Sequence, residues 1–236
     1  KTPEAINNAF RQIIMNLAGG IGFLVIREVI AKRFRWKKLS MHAKVVLFMS
    51  LVLTAAGTVL LKLTEDITWM GAFFTSVSAR TAGFSTFPLG SFSGAGLLTV
   101  IVLMVIGASP GSTGGGIKTT TCYVLVEGIR SSATNTSEKA FRYAVPADAF
   151  RKAAVITLLA IGIVLSGTYI LLILEPGVPF LDALFEMSSA FGTAGLSTGI
   201  SAGLCDAAKI LTILIMFIGR LGPLTIASLW YFTKGE

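Results

Sequence analysis

A six-residue element rich in small residues occurs twice in the chain. Residues 81–86 read Thr-Ala-Gly-Phe-Ser-Thr, and residues 193–198, which lie 112 positions later, read Thr-Ala-Gly-Leu-Ser-Thr. Backbone carbonyls held in an extended loop give a dehydrated monovalent cation its oxygen ligands, as the carbonyl rings of selectivity filters do. Glycine permits backbone angles that other residues resist and keeps side chains away from a narrow axis. We therefore expect Gly83 and Gly195 to be the central residues of a cation site.

Each copy follows a short apolar stretch, at residues 72–79 and at residues 181–191. Both stretches are too brief to cross a bilayer, so we interpret them as re-entrant half-helices. A half-helix that ends at the turn directs its negative dipole end toward the cavity, which favours a cation there. Non-helical backbone at membrane depth must be buried by protein or line a water-filled cavity, and the turns therefore need one. The candidate filter residues are Thr81, Ala82, Gly83, Phe84, Thr193, Ala194, Gly195 and Leu196.

Runs of small residues have a simpler explanation, because Gly, Ala and Ser let transmembrane helices approach one another closely. The extent of the duplication argues against that explanation. Ile106-Gly107 and Ile218-Gly219 are also 112 positions apart. A unit of hydrophobic segment, glycine-bearing turn and second hydrophobic segment is therefore repeated, and this predicts a pore built by symmetry.

The composition is that of an integral membrane protein. Hydrophobic residues make up 53% of the chain, charged residues only 14%, and the mean hydropathy is +0.78. A chain of this kind cannot hide its apolar surface in water. The predicted spans cover approximately residues 13–26, 45–61, 94–126, 153–174 and 210–232.

Basic residues predict the orientation, because short cytoplasmic loops collect Lys and Arg. Residues 27–44 and 118–152 are the two basic segments, so we expect both in the cytoplasm and the repeated turns on the outer side. The net charge of +8 comes from span ends and lacks the dense basic face of a nucleic-acid binder. Anionic lipid headgroups are the expected partner of these residues, and nucleic acid is not.

A glycine-rich segment, residues 107–116, interrupts the longest apolar stretch. Its sequence is Gly-Ala-Ser-Pro-Gly-Ser-Thr-Gly-Gly-Gly, and proline together with glycine is incompatible with a continuous helix. We expect a loop inside the bilayer that can swing across the pore below the filter. The candidate gate residues are Gly107, Ser109, Gly111, Ser112, Thr113, Gly114, Gly115, Gly116 and Arg220.

Arg220 is an ionisable residue within a span and occupies the repeat position of Ala108. Such groups are costly and usually face a cavity or a partner. Placed beneath the filter, its charge would raise a barrier to cations and could hydrogen-bond the loop. The alternatives are an arginine that caps a helix break or one that pairs with Glu186. Arg80 and Glu186 lie beside the two filters, where they could pair with each other or with the backbone.

No motif for catalysis or for a metal site stands out. The nine residues 111–119 resemble a phosphate-binding loop, but Ile117 separates the last glycine from Lys118, whereas that motif requires lysine directly after glycine. His42, the single histidine, lies among cytoplasmic basic residues and favours a surface role. We therefore expect a protein that is not an enzyme and has no bound cofactor.

Three segments together resemble a known family. They are Arg-Thr-Ala-Gly-Phe at residues 80–84, the glycine-rich loop with its Ile-Lys-Thr-Thr-Thr continuation at residues 107–121, and Phe-Ile-Gly-Arg-Leu-Gly-Pro-Leu-Thr at residues 217–225. The chain resembles the Trk/Ktr/HKT superfamily of potassium transporters over nearly its whole length. The Ser-Pro of the loop and the Gly-Pro-Leu-Thr after the arginine are closest to the KtrB branch.

This resemblance implies an all-α integral membrane fold of membrane-helix, pore-loop, membrane-helix repeats, four of which surround a potassium-channel-like pore. It implies that K⁺ binds backbone carbonyls near Gly83 and Gly195, that residues 107–116 form the gating loop, and that Arg220 blocks the pore. It also implies a homodimer with a cytoplasmic nucleotide-binding regulatory subunit of the KtrA/TrkA type. Glycine at both filter positions is the pattern of a potassium-selective member.

The chain departs from the family in its number of repeats. Residues 18–23 align with residues 218–223 at an offset of 200, so the opening helix resembles the closing helix of a second repeat. We expect the C-terminal half of a longer protein, with the N-terminal half as its partner. The expected units are residues 1–30, the second helix of an incomplete repeat; 31–44, a basic cytoplasmic loop; 45–130, the third repeat; 131–152, a cytoplasmic linker; and 153–236, the fourth repeat.

The sequence thus predicts a pore-forming subunit of a potassium uptake system in the bacterial plasma membrane. One alternative is a two-filter cation channel subunit that dimerises to supply four filter strands. Another is a secondary active transporter, in which broken helices and repeats also occur. Repeats in transporters are often inverted, whereas both turns here are expected to open outward.

Overall fold

The structure, a computed structural model, describes residues 3–134, 139–140, 143–144 and 147–222. The predicted final span continues to residue 232, and its part beyond residue 222 lies outside the described residues, as do parts of the predicted linker. The helices are α1 (Pro3–Ile21), α2 (Phe23–Ala31), α3 (Met41–Thr64), α4 (Trp69–Thr81), α5 (Gly94–Val105), α6 (Thr119–Thr134), α7 (Ala147–Leu174), α8 (Phe180–Gly192) and α9 (Asp206–Leu221). Short 3-10 turns occur at Trp36–Lys38, Leu89–Ser91 and Ile200–Gly203.

The predicted all-helical fold class is confirmed, with one small addition. Two strands of two residues each, β1 (Lys139–Ala140) and β2 (Tyr143–Ala144), pair antiparallel within the predicted linker. A ladder this short is a local hairpin. The fold therefore rests on helix packing.

Two helices are long and apolar enough to cross a membrane within the described ranges. They are Met41–Thr64, with a mean hydropathy of 2.1, and Asp148–Leu174, with 2.4. A third span arises if α1 and α2 are taken together as one bent element. The chain is an integral membrane protein. The other described helices do not meet the length and hydropathy needed to cross a membrane alone.

The first predicted span, residues 13–26, is not one straight helix. α1 and α2 meet at an angle of 98° at Gly22, which has φ 86° and ψ 145°. Gly222, 200 positions later, ends α9 with φ 87° and ψ 138°. The two aligned glycines thus adopt the same backbone conformation, one that few other residues tolerate. The offset of 200 thus relates two glycines that have the same backbone conformation and that each lie at the end of a helix.

α4 and α8 are the two predicted half-helices. Each has 13 residues, or about 20 Å at 1.5 Å per residue, which is short of the roughly 30 Å hydrocarbon core. Thr68 begins α4, and its side chain accepts a hydrogen bond from the backbone N–H of Gly71 at 3.2 Å. α3 and α5 pack on α4, while α5, α7 and α9 pack on α8.

The hydrophobic core has two halves that meet at α8. One cluster lies between α3, α4, α5 and α8, and the other lies between α7, α8 and α9. Phe185 faces the first cluster and Phe191 faces the second, and both are fully buried. Partly buried Leu184 packs against both clusters. Residues 183–192 of α8 are buried except for Leu184, and they include the polar residues Glu186, Ser188 and Ser189.

Glutamates at the ends of helices fix the start of later helices in both repeats. Glu65 Oε1 accepts from the backbone N–H of Ser93 at 2.9 Å and from its hydroxyl at 2.6 Å, just before α5. Glu175 Oε1 accepts from the backbone N–H of Cys205 at 2.6 Å, just before α9. Ser93 and Cys205 are 112 positions apart, so the contact is repeated with the fold.

We expect Glu65→Ala to lower the unfolding temperature of the detergent-solubilised protein by a few degrees, corresponding to about 1 kcal/mol. The reason is that two hydrogen bonds to a charged acceptor are lost. Asp66→Ala is the matched control, because this neighbouring acid is exposed and has no hydrogen bond or ion pair within the described residues. Equal effects of the two substitutions in a thermal-shift measurement would contradict the assignment.

Candidate ion-conducting site

The two Thr-Ala-Gly segments directly follow the two half-helices. α4 ends at Thr81 and α8 ends at Gly192, so each segment leaves the C-terminal end of its helix. Gly83 has φ 68° and Gly195 has φ 84°, and both lie in the left-handed region that favours glycine. The predicted special backbone of the two glycines is therefore present in both copies.

The two segments meet at these glycines. A Cβ atom added to Gly83 would lie 2.6 Å from the carbonyl oxygen of Ala194 and 3.1 Å from the Cα of Gly195. A Cβ atom on Gly195 would lie 3.5 Å from the Cα of Gly83, which is an ordinary contact. Segments that are 112 positions apart in sequence thus share one site, and its tightest point is Gly83.

The two copies differ in how their backbone is held. In the first copy, the Ser78 hydroxyl donates to the carbonyl of Phe84 at 2.5 Å. The second copy has Ala190 at the position of Ser78, so this bond has no counterpart there. Thr193 adopts a left-handed φ of 49°, which is uncommon for a residue other than glycine.

Glu186 holds the chain that follows the second filter segment. It is 5% exposed, its Oε1 accepts from the Ser197 hydroxyl and from the Thr198 N–H at 3.3 Å, and its Oε2 accepts from the Ser201 hydroxyl at 2.8 Å. These neutral donors satisfy a buried carboxylate without a cation. An ion pair of Glu186 with Arg80 or with Arg220, which the sequence left open as an alternative, is not among the ion pairs of the described residues. Two of the three donors, Ser197 and Thr198, are the last two residues of the repeated hexapeptide.

The glycine-rich segment is non-helical, as its composition predicts. α5 ends at Val105 and α6 begins at Thr119. The backbone N–H of Ile117 donates to the carbonyl of Val105 at 2.9 Å, which closes the base of the loop. The intervening residues therefore make a sideways excursion between two helices that would otherwise form one span.

The far end of this loop contacts the second filter segment. The N–H of Gly115 donates to the carbonyl of Gly192 at 3.2 Å and to the Thr193 hydroxyl at 2.8 Å. A Cβ atom on Gly115 would lie 3.0 Å from both the Thr193 side chain and the Gly219 carbonyl. A side chain at position 115 would therefore force these neighbours to move by a few tenths of an ångström.

The break between α1 and α2 holds the other side of the loop. Ser109 N–H donates to the Gly20 carbonyl at 3.0 Å, and Thr113 N–H donates to the Gly19 carbonyl at 3.3 Å. A Cβ atom on Gly22 would lie 3.0 Å from the carbonyls at positions 110 and 111. The loop thus lies between the α1 break and the end of α8.

Two cations also donate to the loop. Arg220, exposed in the last turn of α9, donates to the carbonyl of Thr113. This is the loop contact that the sequence predicted for Arg220. Lys118 Nζ donates to the carbonyl of Gly114 at 2.7 Å, a contact that the sequence did not predict, because Lys118 was assigned to the basic cytoplasmic segment 118–152.

Arg80 contacts backbone rather than a carboxylate. It is 5% exposed, and its guanidinium donates to the Ser50 carbonyl at 3.3 Å and to the Gly107 carbonyl at 3.5 Å. Of the two partners that the sequence allowed, the backbone is therefore the one observed. Gly107 is the first residue of the loop, so Arg80 contacts the loop where it begins.

Comparison with known proteins places the chain in a family. A family model described as "TrkH: Cation transport protein" matches residues 36–231. The chain belongs to this TrkH family. Among similar proteins, "Ktr system potassium uptake protein B" of Bacillus subtilis (strain 168) is 36% identical over 93% of this chain and 52% of its own length. The protein of the same name from Vibrio alginolyticus is 38% identical over 89% of this chain and 49% of its own length.

Further similarities agree with this family. The "Potassium/sodium uptake protein NtpJ" of Enterococcus hirae is 32% identical over 89% of this chain and 50% of its own length. The crystal structure of the potassium transporter TrkH from Vibrio parahaemolyticus superposes with a TM-score of 0.73 at 20% identity, covering 92% of this chain and 50% of that one. The latter similarity concerns the fold alone. This TrkH-family chain spans about half the length of the curated relatives that it matches.

We expect Glu186→Ala to destabilise the TrkH-family protein by about 2 kcal/mol, because the donors of three residues lose their acceptor in a buried site. Asp182→Ala is the matched control, since Asp182 lies one turn earlier on α8 and has no hydrogen bond or ion pair within the described residues. Thermal unfolding of the purified variants measures the difference. A Glu186 variant as stable as the Asp182 variant would contradict the role of this carboxylate.

Proposed function

We propose that this chain forms part of a potassium-conducting pore and supplies two of its filter segments. The observation that carries the proposal is the meeting of two Thr-Ala-Gly turns at Gly83 and Gly195, each at the C-terminal end of a half-helix. The printed names of the relatives, which describe potassium uptake, support potassium as the transported ion.

The proposed ligands of K⁺ are backbone carbonyl oxygens near Gly83 and Gly195, within the filter segments formed by residues 81–84 and 193–196. Carbonyls replace the hydration shell of the ion, and the negative ends of the α4 and α8 dipoles add a favourable field. Neither source of stabilisation needs a carboxylate. The positive φ angles of the two glycines support this arrangement.

The proposed organisation follows the expected repeat boundaries. Residues 45–130 and 153–236 form the third and fourth repeats, and residues 1–30 belong to a preceding repeat. The length of the relatives supports two further filter segments in an N-terminal half of the protein. We further propose a homodimer regulated by a cytoplasmic nucleotide-binding subunit, which agrees with the word "system" in the names of two relatives.

The proposed gate consists of residues 107–116 and Arg220. Hydrogen bonds from Gly115 to the end of α8 and from Arg220 to Thr113 support a loop that can close the inner end of the filter. The arginine adds a positive charge that repels cations. Opening would require these contacts to break. The remaining gate residues, Ser109, Gly111, Ser112, Gly114 and Gly116, would allow the backbone to move.

Replacing Gly83 by Ser should lower the preference for K⁺ over Na⁺ by about tenfold, or about 1.4 kcal/mol. The side chain would collide with the Ala194 carbonyl and disfavour the left-handed backbone. Gly195→Ser should have a smaller effect, because its Cβ has an ordinary contact. Uptake of the two ions into cells that lack other potassium uptake measures this ratio.

Gly162→Ser is the matched control for these variants. Gly162 lies on α7, and an added Cβ there would have no described atom within 4 Å, so its substitution should leave ion preference unchanged. An unchanged ratio in both filter variants, with normal protein levels, would refute the filter assignment. A parent protein that prefers Na⁺ would favour sodium as the cargo, which the name of one relative includes.

Replacing Arg220 by Ala should raise K⁺ flux severalfold, because one positive charge and one contact to the loop are removed. Lys209→Ala is the control, since Lys209 lies on the same helix and its one ion pair within the described part of the chain is with exposed Asp206 at 3.7 Å. Flux into reconstituted vesicles measures the effect. If both the Arg220 variant and a variant with a shortened loop conducted like the parent, the gate assignment would be wrong.

A further inference from the structure

The buried guanidinium of Arg80 has too few partners in this structure. None of the ion pairs within the described ranges includes Arg80. Its two contacts, to the carbonyls of Ser50 and Gly107, are long at 3.3 and 3.5 Å, and no described residue offers its Nε–H a hydrogen-bond acceptor. Guanidinium carries five N–H donors, and buried donors are normally satisfied. The site therefore requires an additional acceptor.

A small cavity adjoins this arginine. Its volume is about 10 Å³, and its polar lining consists of Arg80, Asn16, Ser50 and Thr54. The hydroxyls of Ser50 and Thr54, one turn apart on α3, are buried and have no hydrogen-bond partner among the residues that the structure describes. The cavity thus brings together one unsatisfied cationic donor and two unsatisfied hydroxyls.

We propose that one resident water molecule occupies this cavity and completes a hydrogen-bond network of Arg80, Ser50 and Thr54, called the polar joint below. A volume of about 10 Å³ corresponds to roughly one water-sized sphere, and a buried water needs two to four polar partners. The water oxygen accepts from Nε–H of Arg80, and its two hydrogens are donated to the two hydroxyl oxygens. A carboxylate or a phosphate is too large for this volume.

The joint connects three parts of the structure. Arg80 lies in the last turn of α4, directly before the first filter segment, and its guanidinium reaches Ser50 on α3 and Gly107 at the start of the loop. Holding the guanidinium in place therefore holds Gly107, the first residue of the loop, in place relative to α4. Arg80 is in this sense a positioning residue. The positioning role of Arg80 rests on the proposed function, whereas the water site does not.

A high-resolution experimental structure of the full-length protein, with chloride replaced by bromide, tests the site. We expect a water peak within about 3 Å of Arg80 Nε, in hydrogen-bond range of both hydroxyls, and no anomalous signal. An anomalous bromide peak would identify an anion instead. A carboxylate from outside the described residues against Nε, or an empty cavity, would equally overturn the proposal.

Thr54→Val tests the joint without removing the charge. Valine keeps the shape of threonine but lacks the hydroxyl, so we expect K⁺ flux to rise about fivefold as the loop loosens, within the usual range of coupling between sites. Thr58→Val is the matched control. The Thr58 hydroxyl donates to the Thr54 carbonyl within α3, and Thr58 is not one of the residues that line the cavity. Equal flux in the two variants would overturn the positioning role.

The same substitution in a protein with a shortened loop separates positioning from simple destabilisation. We expect Thr54→Val to leave flux unchanged in that background, because the part of the loop it acts on has been removed. The same rise in both backgrounds would contradict action through the loop. Failure of the proposed function is distinguishable, since it would leave ion preference unaltered in the Gly83 and Gly195 variants while the water peak remained.

Discussion

The constraint on which this structure depends is that interrupted helices inside a membrane must satisfy their own backbone groups. Hydrocarbon offers no hydrogen bonds, so each free N–H or carbonyl costs several kcal/mol. Here the interruptions satisfy one another. Gly115 donates to the end of α8, and Ser109 and Thr113 donate to the carbonyls of the α1 break. The second Thr-Ala-Gly turn, the loop and the bent helix therefore form one connected unit.

Glycine makes these contacts possible, because backbones must come within hydrogen-bond distance of each other. A Cβ on Gly107 would collide with the Gly115 carbonyl, and one on Gly219 would collide with the Phe191 carbonyl. Gly107 and Gly219 are equivalent residues of the two repeats. The duplication that the sequence displays thus preserves close backbone approach as well as the filter element.

Local features of the sequence predicted a large part of this arrangement. The short apolar stretches became α4 and α8, and proline with glycine after Val105 produced the interruption. The 98° bend at Gly22 was missed, since hydropathy does not distinguish a bent span from a straight one. The acceptor role of Glu186 was also missed, because opposite charges in sequence suggest ion pairs while only the fold brings three hydroxyl-bearing residues to it.

The central claim is that carbonyls around Gly83 and Gly195 bind K⁺. Thallium(I) replaces potassium in such sites and scatters X-rays anomalously, so its position can be measured directly in crystals of the full-length protein. Our account predicts an anomalous peak at the meeting point of the two Thr-Ala-Gly segments, and its loss in the Gly83→Ser variant. A well-ordered filter without a thallium peak, or a peak held by other residues, would contradict the account.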